Sequence, residues 1–206
     1  MAEQAEAARP QQEPLGQPAN VRQVRFETTA GSFTATVDRA LSPNGVDRFL
    51  ELVGEGFFAD MLLYRVIPGF LVQFGIASEP ATMAKWDGQK IADEPRRADF
   101  QAGTLSYAGS GADSRSCHFF VALAPSGLRL GKAKHEAPIG VVDAAGVAVF
   151  EAVARNFEES GYPPCKLYRQ LVAEGNAAAA SFPRMDRILS AALLPTQQQA
   201  EADAAI

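Results

Sequence analysis

Short apolar segments separated by glycine, proline and serine dominate the middle of the sequence, between Leu62 and Val142. Five of them are LLYRVI, FLVQFG, GTLSYAG, CHFFVAL and APIGVV. Their β-branched and aromatic side chains favour strands over helices. Upstream, VRQVRFETTAGSFTATVD adds two strand-like runs around Ala30 and Gly31, which predict a hairpin. The chain is therefore predicted to form mainly β structure.

Two stretches place apolar residues at helical spacing. SPNGVDRFLELVGEG has Ser42 as a candidate N-cap, Pro43 in the first turn and Gly54 at the end. GVAVFEAVARNFEE is the second amphipathic stretch, and CKLYRQLVAEG predicts an extra short helix near the C-terminus. SFPRMDRILSAALL is expected to hold a closing strand. Many short strands with two separated amphipathic helices predict a closed antiparallel barrel with a helix at each end.

The 206 residues, 47% of them hydrophobic, are enough for the substantial core of one domain. Residues 1–21 are rich in Gln, Pro, Ala and Glu without periodicity, and we expect a flexible tail there. Residues 22–194 form the predicted domain, and residues 195–206 a second loose tail. Between residues 77 and 99 the sequence is polar and irregular, which predicts a long surface loop.

Composition argues against several classes of function. A formal net charge of -5 is unfavourable for binding nucleic acid or an anionic membrane. No apolar run approaches the roughly 18 residues that a membrane span requires. The N-terminal segment lacks the apolar stretch of a secretory signal, so no compartment is predicted.

The few cysteines and histidines predict no metal site, no cofactor and no disulfide framework. The chain has two of each and no CxxC pair. Cys117 precedes His118, but neighbours on a strand point to opposite faces. A nucleophilic dyad, and with it a hydrolase that uses Cys117, is therefore not expected.

The segment YRVIPGFLVQFG resembles the cyclophilin family of peptidyl-prolyl isomerases, which typically has His-Arg-Val/Ile-Ile-Pro-Gly-Phe-Met-x-Gln-Gly-Gly at this place. GTLSYAGSGADSRSCHFFVALAPSGLRLGK is similar to the family's Gly-x-Leu-Ser-Met-Ala-Asn, followed by Ser-Gln-Phe-Phe and Leu-Asp-Gly-Lys. IADEP and APIGVVDAAGVAVFEAV resemble further family segments. The resemblance covers roughly residues 22–194. It implies an eight-stranded barrel with two capping helices and a groove on the outside of the sheet.

The resemblance also implies a site. Arg65 matches the family's catalytic arginine, whose guanidinium can donate to a prolyl nitrogen without ever losing its proton. Strand alternation places His118 and Phe120 on the groove face and turns Phe119 inward. Gln73 would hold the substrate carbonyl. The groove residues that the resemblance implies are Phe70, Leu71, Gln73, Ala108, Gly109, His118, Phe120, Leu128 and His135.

Several groove positions depart from the family's pattern. Tyr64 replaces the usual His, and His118 stands where Gln is usual. Leu128 occupies a position often filled by Trp, which weakens any expectation of cyclosporin binding. Arg129 falls where the family has a pocket Leu, unless the loop shifts and Leu130 fills that place. The placement of His135 is left open as well, because GKAKHEAPIG is longer than the matching family segment.

Two functions follow from these residues. The first is a peptidyl-prolyl cis–trans isomerase that acts on X–Pro bonds in proline-containing peptides or unfolded proteins. The second is a catalytically weak or inactive binding subunit of a larger assembly, suggested by the replaced groove residues, the two tails and the extra helix. On the residues alone, Arg65 could also be an ordinary surface cation, and Phe70 and Phe120 could be core aromatics.

Overall fold

One antiparallel sheet of nine strands forms the body of the protein in a computed structural model that describes residues 20–124, 130–162 and 167–196. The strands are β1 (Val21–Thr28), β2 (Gly31–Asp38), β3 (Met61–Leu62), β4 (Arg65–Ile67), β5 (Leu71–Phe74), β6 (Thr104–Tyr107), β7 (Phe119–Ala122), β8 (Pro138–Val142) and β9 (Arg187–Leu193). Their order in the sheet is β3-β9-β1-β2-β8-β6-β7-β5-β4. The predicted tails fall largely outside the described residues.

The predicted hairpin and closing strand are both confirmed. β1 pairs with β2 along its whole length, from Val21 opposite Asp38 to Thr28 opposite Gly31. β9 adds to the other side of β1. Alternate residues of β1 and β2 are buried, as expected for strands with one face on a core.

The prediction of eight strands in a closed barrel is wrong in detail, because LLYRVI forms two strands instead of one. Met61 and Leu62 pair with β9, whereas Arg65–Ile67 pair with β5. The segment changes partner between these pairings, so the ladder is interrupted at residues 63 and 64. These two short strands are the edges of the sheet, and they follow each other in the chain. The sheet therefore curls until its edges meet at this junction.

Four α-helices accompany the sheet: α1 (Pro43–Gly54), α2 (Pro80–Trp86), α3 (Ala144–Glu159) and α4 (Tyr168–Glu174). The two amphipathic helices and the extra short helix are thus confirmed, and a 3-10 helix (Gly175–Ser181) follows α4. Among the described residues, no helix is long and apolar enough to cross a membrane.

Helix α2 corrects the prediction of a structureless loop between residues 77 and 99. Pro80 suits the first turn, and Met83 and Trp86 bury one face of the helix in the core. Arg48 and Lys85 lie over the Trp86 ring at 5.1 and 4.8 Å from its centre. The polar composition of the segment concealed these two anchors.

The N-terminus of α1 is capped by a distant carboxylate and not by the side chain of Ser42. Glu94 accepts hydrogen bonds from the backbone amides of Asn44 (2.9 Å) and Gly45 (3.1 Å). The Ser42 hydroxyl donates to the same carboxylate. Arg115, which is fully buried, donates to Ser42 Oγ and to Glu94 Oε2, each at 2.9 Å. Serine is a common N-cap, but here a buried ion pair takes that role.

Aromatic side chains fill the concave side of the sheet. Phe119 lies at its centre, with ring centres 4.5 Å from Tyr107 and 5.4 Å from Phe49 of α1. Phe150 of α3 packs against Phe33 of β2, with ring centres 5.0 Å apart. Phe119 therefore turns inward as predicted, which directs its neighbour in β7 to the outer face.

Candidate active site

Arg65, Gln73 and Phe120 form one row across three neighbouring strands on the outer face of the sheet. Arg65 of β4 is opposite Gln73 of β5, and Gln73 is opposite Phe120 of β7. Directly opposed residues of antiparallel strands project to the same face. The pairing register thus brings these three side chains together, although Phe120 is far from the other two in sequence.

An apolar cluster separate from the main core lies beside this row, and its buried members are Leu71, Phe100, Phe120, Ala122 and Leu130. Leu71, Phe120 and Leu130 line the groove and form its apolar pocket. The Phe100 and Phe120 rings are stacked, with centres 5.9 Å apart and planes 13° apart.

The residues predicted around the pocket have different outcomes. Leu130 occupies the pocket wall, which is the alternative that the sequence left open. Leu128 and Arg129 lie outside the described residues. Phe70 is half-buried and packs against the pocket together with Ala108.

The row and the pocket belong to one groove with a volume of about 550 Å³. Seven of the nine groove residues that the resemblance implied line this groove, and Arg65 lines it too. The groove-lining residues that had been predicted are Arg65, Leu71, Gln73, Ala108, Gly109, His118, Phe120 and His135.

A chain of hydrogen bonds holds Arg65. Its Nη1 donates to Gln73 Oε1 at 2.8 Å, and Gln73 Nε2 donates to the Tyr64 hydroxyl at 2.7 Å. Because a guanidinium can only donate, the amide oxygen of Gln73 must face Arg65. Tyr64 is 2% exposed. Burial, reinforced by the nearby Tyr168, raises the pKa of the Tyr64 phenol far above its ordinary value, so the ring is neutral.

The opposite wall of the groove requires a glycine. A Cβ on Gly109 would lie 2.5 Å from Ser114 Oγ and 2.9 Å from His135 Cγ, so a larger residue would displace both side chains. His135 Nδ1 lies 3.1 Å from the carbonyl oxygen of Gly111. This contact places His135 in the groove, a position that the sequence had left open.

His118 reaches the groove at the end formed by α2 and α4. Its Nε2 lies 2.9 Å from Asp87 Oδ1 at the C-terminus of α2. Its ring centre lies 5.7 Å from that of Tyr168, the first residue of α4. Sequence reasoning missed Asp87 and Tyr168, because both belong to helices that the sheet alone does not place. The predicted short helix CKLYRQLVAEG, which contains Tyr168, was the signal available.

The position of Cys117 corrects the argument from strand alternation. β7 begins at Phe119, so Cys117 and His118 precede the strand and do not follow its alternation. The Cys117 Sγ and a ring nitrogen of His118 lie within 4.8 Å of each other. Burial nevertheless raises the pKa of the Cys117 thiol to about 12, so it is not poised as a nucleophile.

Residues 23–169 match the family described as cyclophilin type peptidyl-prolyl cis-trans isomerase/CLD. This match covers more than half of the chain. The protein therefore belongs to the cyclophilin-type peptidyl-prolyl cis-trans isomerase family, as the resemblance in its sequence implied.

Two curated relatives show the degree of similarity. The chain is 36% identical over 110 residues to "Peptidyl-prolyl cis-trans isomerase-like 1" of Aspergillus oryzae. The aligned segment covers 50% of this chain and 66% of the relative. It is 32% identical over 109 residues to "Peptidyl-prolyl cis-trans isomerase CYP18-2" of Arabidopsis thaliana, covering 50% of this chain and 65% of that protein. The chain thus spans just under two thirds of the length of these relatives.

A solved structure supports the fold. The cyclophilin type peptidyl-prolyl cis-trans isomerase of Cryptosporidium parvum, crystallised in the presence of the dipeptide Ala-Pro, superposes with a TM-score of 0.61 and 17% sequence identity. The match covers 84% of this chain and 99% of that one. The curled antiparallel sheet with its helices is therefore a cyclophilin-like fold.

Proposed function

We propose that this protein is a peptidyl-prolyl cis–trans isomerase for X–Pro bonds in peptides and unfolded proteins, with Arg65 as its catalytic residue. The observation that carries the proposal is the groove itself. It joins a fixed guanidinium to an apolar pocket on one sheet face. Family membership and the Ala-Pro dipeptide in the structure of the Cryptosporidium relative support the same substrate class.

The reaction needs a twisted amide and no covalent chemistry. Partial double-bond character gives the peptide C–N bond a rotation barrier of roughly 18–20 kcal/mol. The cis and trans forms of an X–Pro bond are close in energy but interconvert only in tens to hundreds of seconds. A donor directed at the prolyl nitrogen favours the pyramidal nitrogen of the twisted state and weakens the conjugation. Arg65 can supply that donor at any physiological pH, because it keeps its proton.

The other groove residues would bind the substrate and hold Arg65 in place. Leu71, Phe120 and Leu130 provide an apolar site that fits a pyrrolidine ring. Gln73, which the sequence predicted to hold the substrate carbonyl, instead holds the guanidinium and keeps its position fixed while the bond rotates. Such pre-organisation is the main source of electrostatic catalysis. Ala108 and Gly109 would contact the residue before proline, as the family resemblance implies. Because Gly109 has no side chain, its backbone stays accessible to the substrate.

Isomerase kinetics on a short X–Pro peptide test the proposal. Arg65→Ala should lower kcat/KM by about 100-fold or more, as expected when a pre-organised donor is removed. Arg25→Ala is the matched control, since Arg25 lies on β1 in an exposed pair with Glu27 and should leave turnover unchanged.

Two outcomes would contradict the proposal. Full activity of Arg65→Ala would exclude Arg65 from the mechanism. Background turnover of the wild-type protein, with retained binding of a proline peptide, would favour the non-catalytic binding subunit.

A further inference from the structure

Asp87, Cys117 and His118 converge at the α2 end of the groove, and no step of the proposed isomerisation uses them. One ligand atom from each side chain lies within 4.8 Å of the other two. Asp87 comes from the end of α2, whereas Cys117 and His118 immediately precede β7. A carboxylate, a thiol and an imidazole that meet from two separate segments form a set of metal ligands.

We propose that these three residues bind one zinc ion. Sulfur, nitrogen and oxygen ligands in a set of three are typical of zinc sites that keep a fourth position open. Thiolate and imidazole also favour zinc over the hard cations magnesium and calcium. The inference concerns metal binding alone and does not depend on the proposed isomerase activity.

The charges of the ligand set suit the site. A thiolate and a carboxylate together neutralise the two positive charges of the ion, and the imidazole is a neutral ligand. This balance matters because His118 is 9% exposed and Cys117 is fully buried. An uncompensated cation there would be costly.

The side chains have to move to hold an ion, because their ligand atoms lie within 4.8 Å of one another and not yet at the spacing of a zinc site. In tetrahedral zinc sites, bonds of about 2.0–2.3 Å place ligand atoms roughly 3.3–3.6 Å apart. His118 Nε2 and Asp87 Oδ1 lie 2.9 Å apart, hydrogen-bonded to each other, and would have to separate slightly to admit the ion. Asp87 can move, since its side chain is 45% exposed.

Binding displaces one proton. Zinc replaces the hydrogen of the Cys117 thiol, a Zn–S bond forms as the S–H bond breaks, and the proton passes to solvent. The zinc affinity should therefore rise with pH.

Metal titration of the whole chain tests the site. The metal-free protein should bind one zinc ion, measured by competition with a chromogenic chelator. Cobalt in place of zinc should give the near-ultraviolet charge-transfer band of a sulfur ligand and the visible bands of a tetrahedral site. Asp87→Asn should weaken zinc binding by at least about tenfold. This change is at an exposed position, so folding should not be affected. Cys117→Ala should abolish the charge-transfer band.

The sequence supplies matched controls, because it contains only two cysteines and two histidines. Cys165→Ser and His135→Asn should retain wild-type zinc affinity. Either of two results would overturn the proposal. One is a wild-type chain without stoichiometric zinc binding. The other is binding that Asp87→Asn and Cys117→Ala leave unchanged, which would place the ion elsewhere in the chain.

Discussion

Two arginines occupy opposite surroundings, one in the interior and one in the groove. Arg115 is fully buried and donates to the Glu94 carboxylate and to Ser42 Oγ. Arg65 is half-buried, lines the groove and donates to the neutral amide of Gln73. A carboxylate cancels the charge of a guanidinium, whereas an amide only orients it. The first arrangement stabilises the fold, and the second directs a guanidinium that lines the groove.

The surroundings of Arg115 extend this contrast. The centre of the Tyr107 ring lies 5.4 Å from the guanidinium carbon of Arg115. The Tyr107 hydroxyl donates to the carbonyl of Gly45 in α1. The same ion pair caps α1 through Glu94. Arg115 thus connects α1, the segment around residue 94 and β6. A single substitution there should affect the whole structure.

Removing Arg115 should have the largest effect. Arg115→Met should lower the free energy of unfolding by about 3–5 kcal/mol, because breaking a buried ion pair leaves the carboxylate uncompensated. Urea denaturation measures this change. Arg65→Met is the comparison and should lower stability by no more than about 1 kcal/mol, since Arg65 lies in a half-buried site where a lost hydrogen bond costs little. Equal losses in the two variants would remove the distinction between the arginines.

Glu94→Gln should have the next largest effect and should depend on pH. Burial acts to raise the pKa of Glu94, but hydrogen bonds from Ser42, Asn44, Arg115 and Gly45 outweigh it and hold the pKa below its ordinary value of 4.5. A lowered pKa stabilises the fold above pH 4.5, and this contribution is lost as pH falls through the folded-state value.

The variant should therefore be less stable than the wild type by about 1–3 kcal/mol at pH 7. The difference should shrink as the pH falls below 4.5. Urea denaturation of both proteins across this range measures it. A difference that is constant with pH would mean that the Glu94 charge does not stabilise the fold.

Gln73→Glu sharpens the comparison by placing a carboxylate directly beside Arg65. The new carboxylate should neutralise the guanidinium and lower isomerase kcat/KM about tenfold, which is about 1.4 kcal/mol of transition-state stabilisation. Stability should change little. Gln23→Glu is the matched control, as Gln23 is an exposed amide on β1. Unchanged turnover in Gln73→Glu would show that the charge of Arg65 does not act on the substrate.

Tyr64→Phe should have the smallest effect. The variant removes the hydroxyl that accepts from Gln73 Nε2 and should lower the free energy of unfolding by about 1 kcal/mol. Turnover should fall less than threefold, because Arg65 keeps its bond to Gln73. A loss as large as that of Arg65→Ala would instead give Tyr64 a direct part in catalysis.

The sequence alone was sufficient for the local structure and for the family. Strand composition predicted the hairpin and the strands of the groove, and helical spacing predicted α1, α3 and α4. These signals are local, since β-branched and aromatic residues favour strands wherever they pack. The register of the family motifs placed Arg65 and Gln73 in one segment, where the two strands β4 and β5 also pair directly.

Long-range pairing decided the remainder. No local pattern indicates that LLYRVI changes partner between β9 and β5, that Glu94 caps α1, or that Trp86 anchors α2 in the core. Asp87 and Cys117 are thirty residues apart in the sequence, and only the tertiary structure brings their ligand atoms together. Contacts of this kind arise from the burial of surfaces that local propensity cannot describe. The sequence thus determines the local secondary structure, whereas the tertiary packing decides which groups surround each charged side chain.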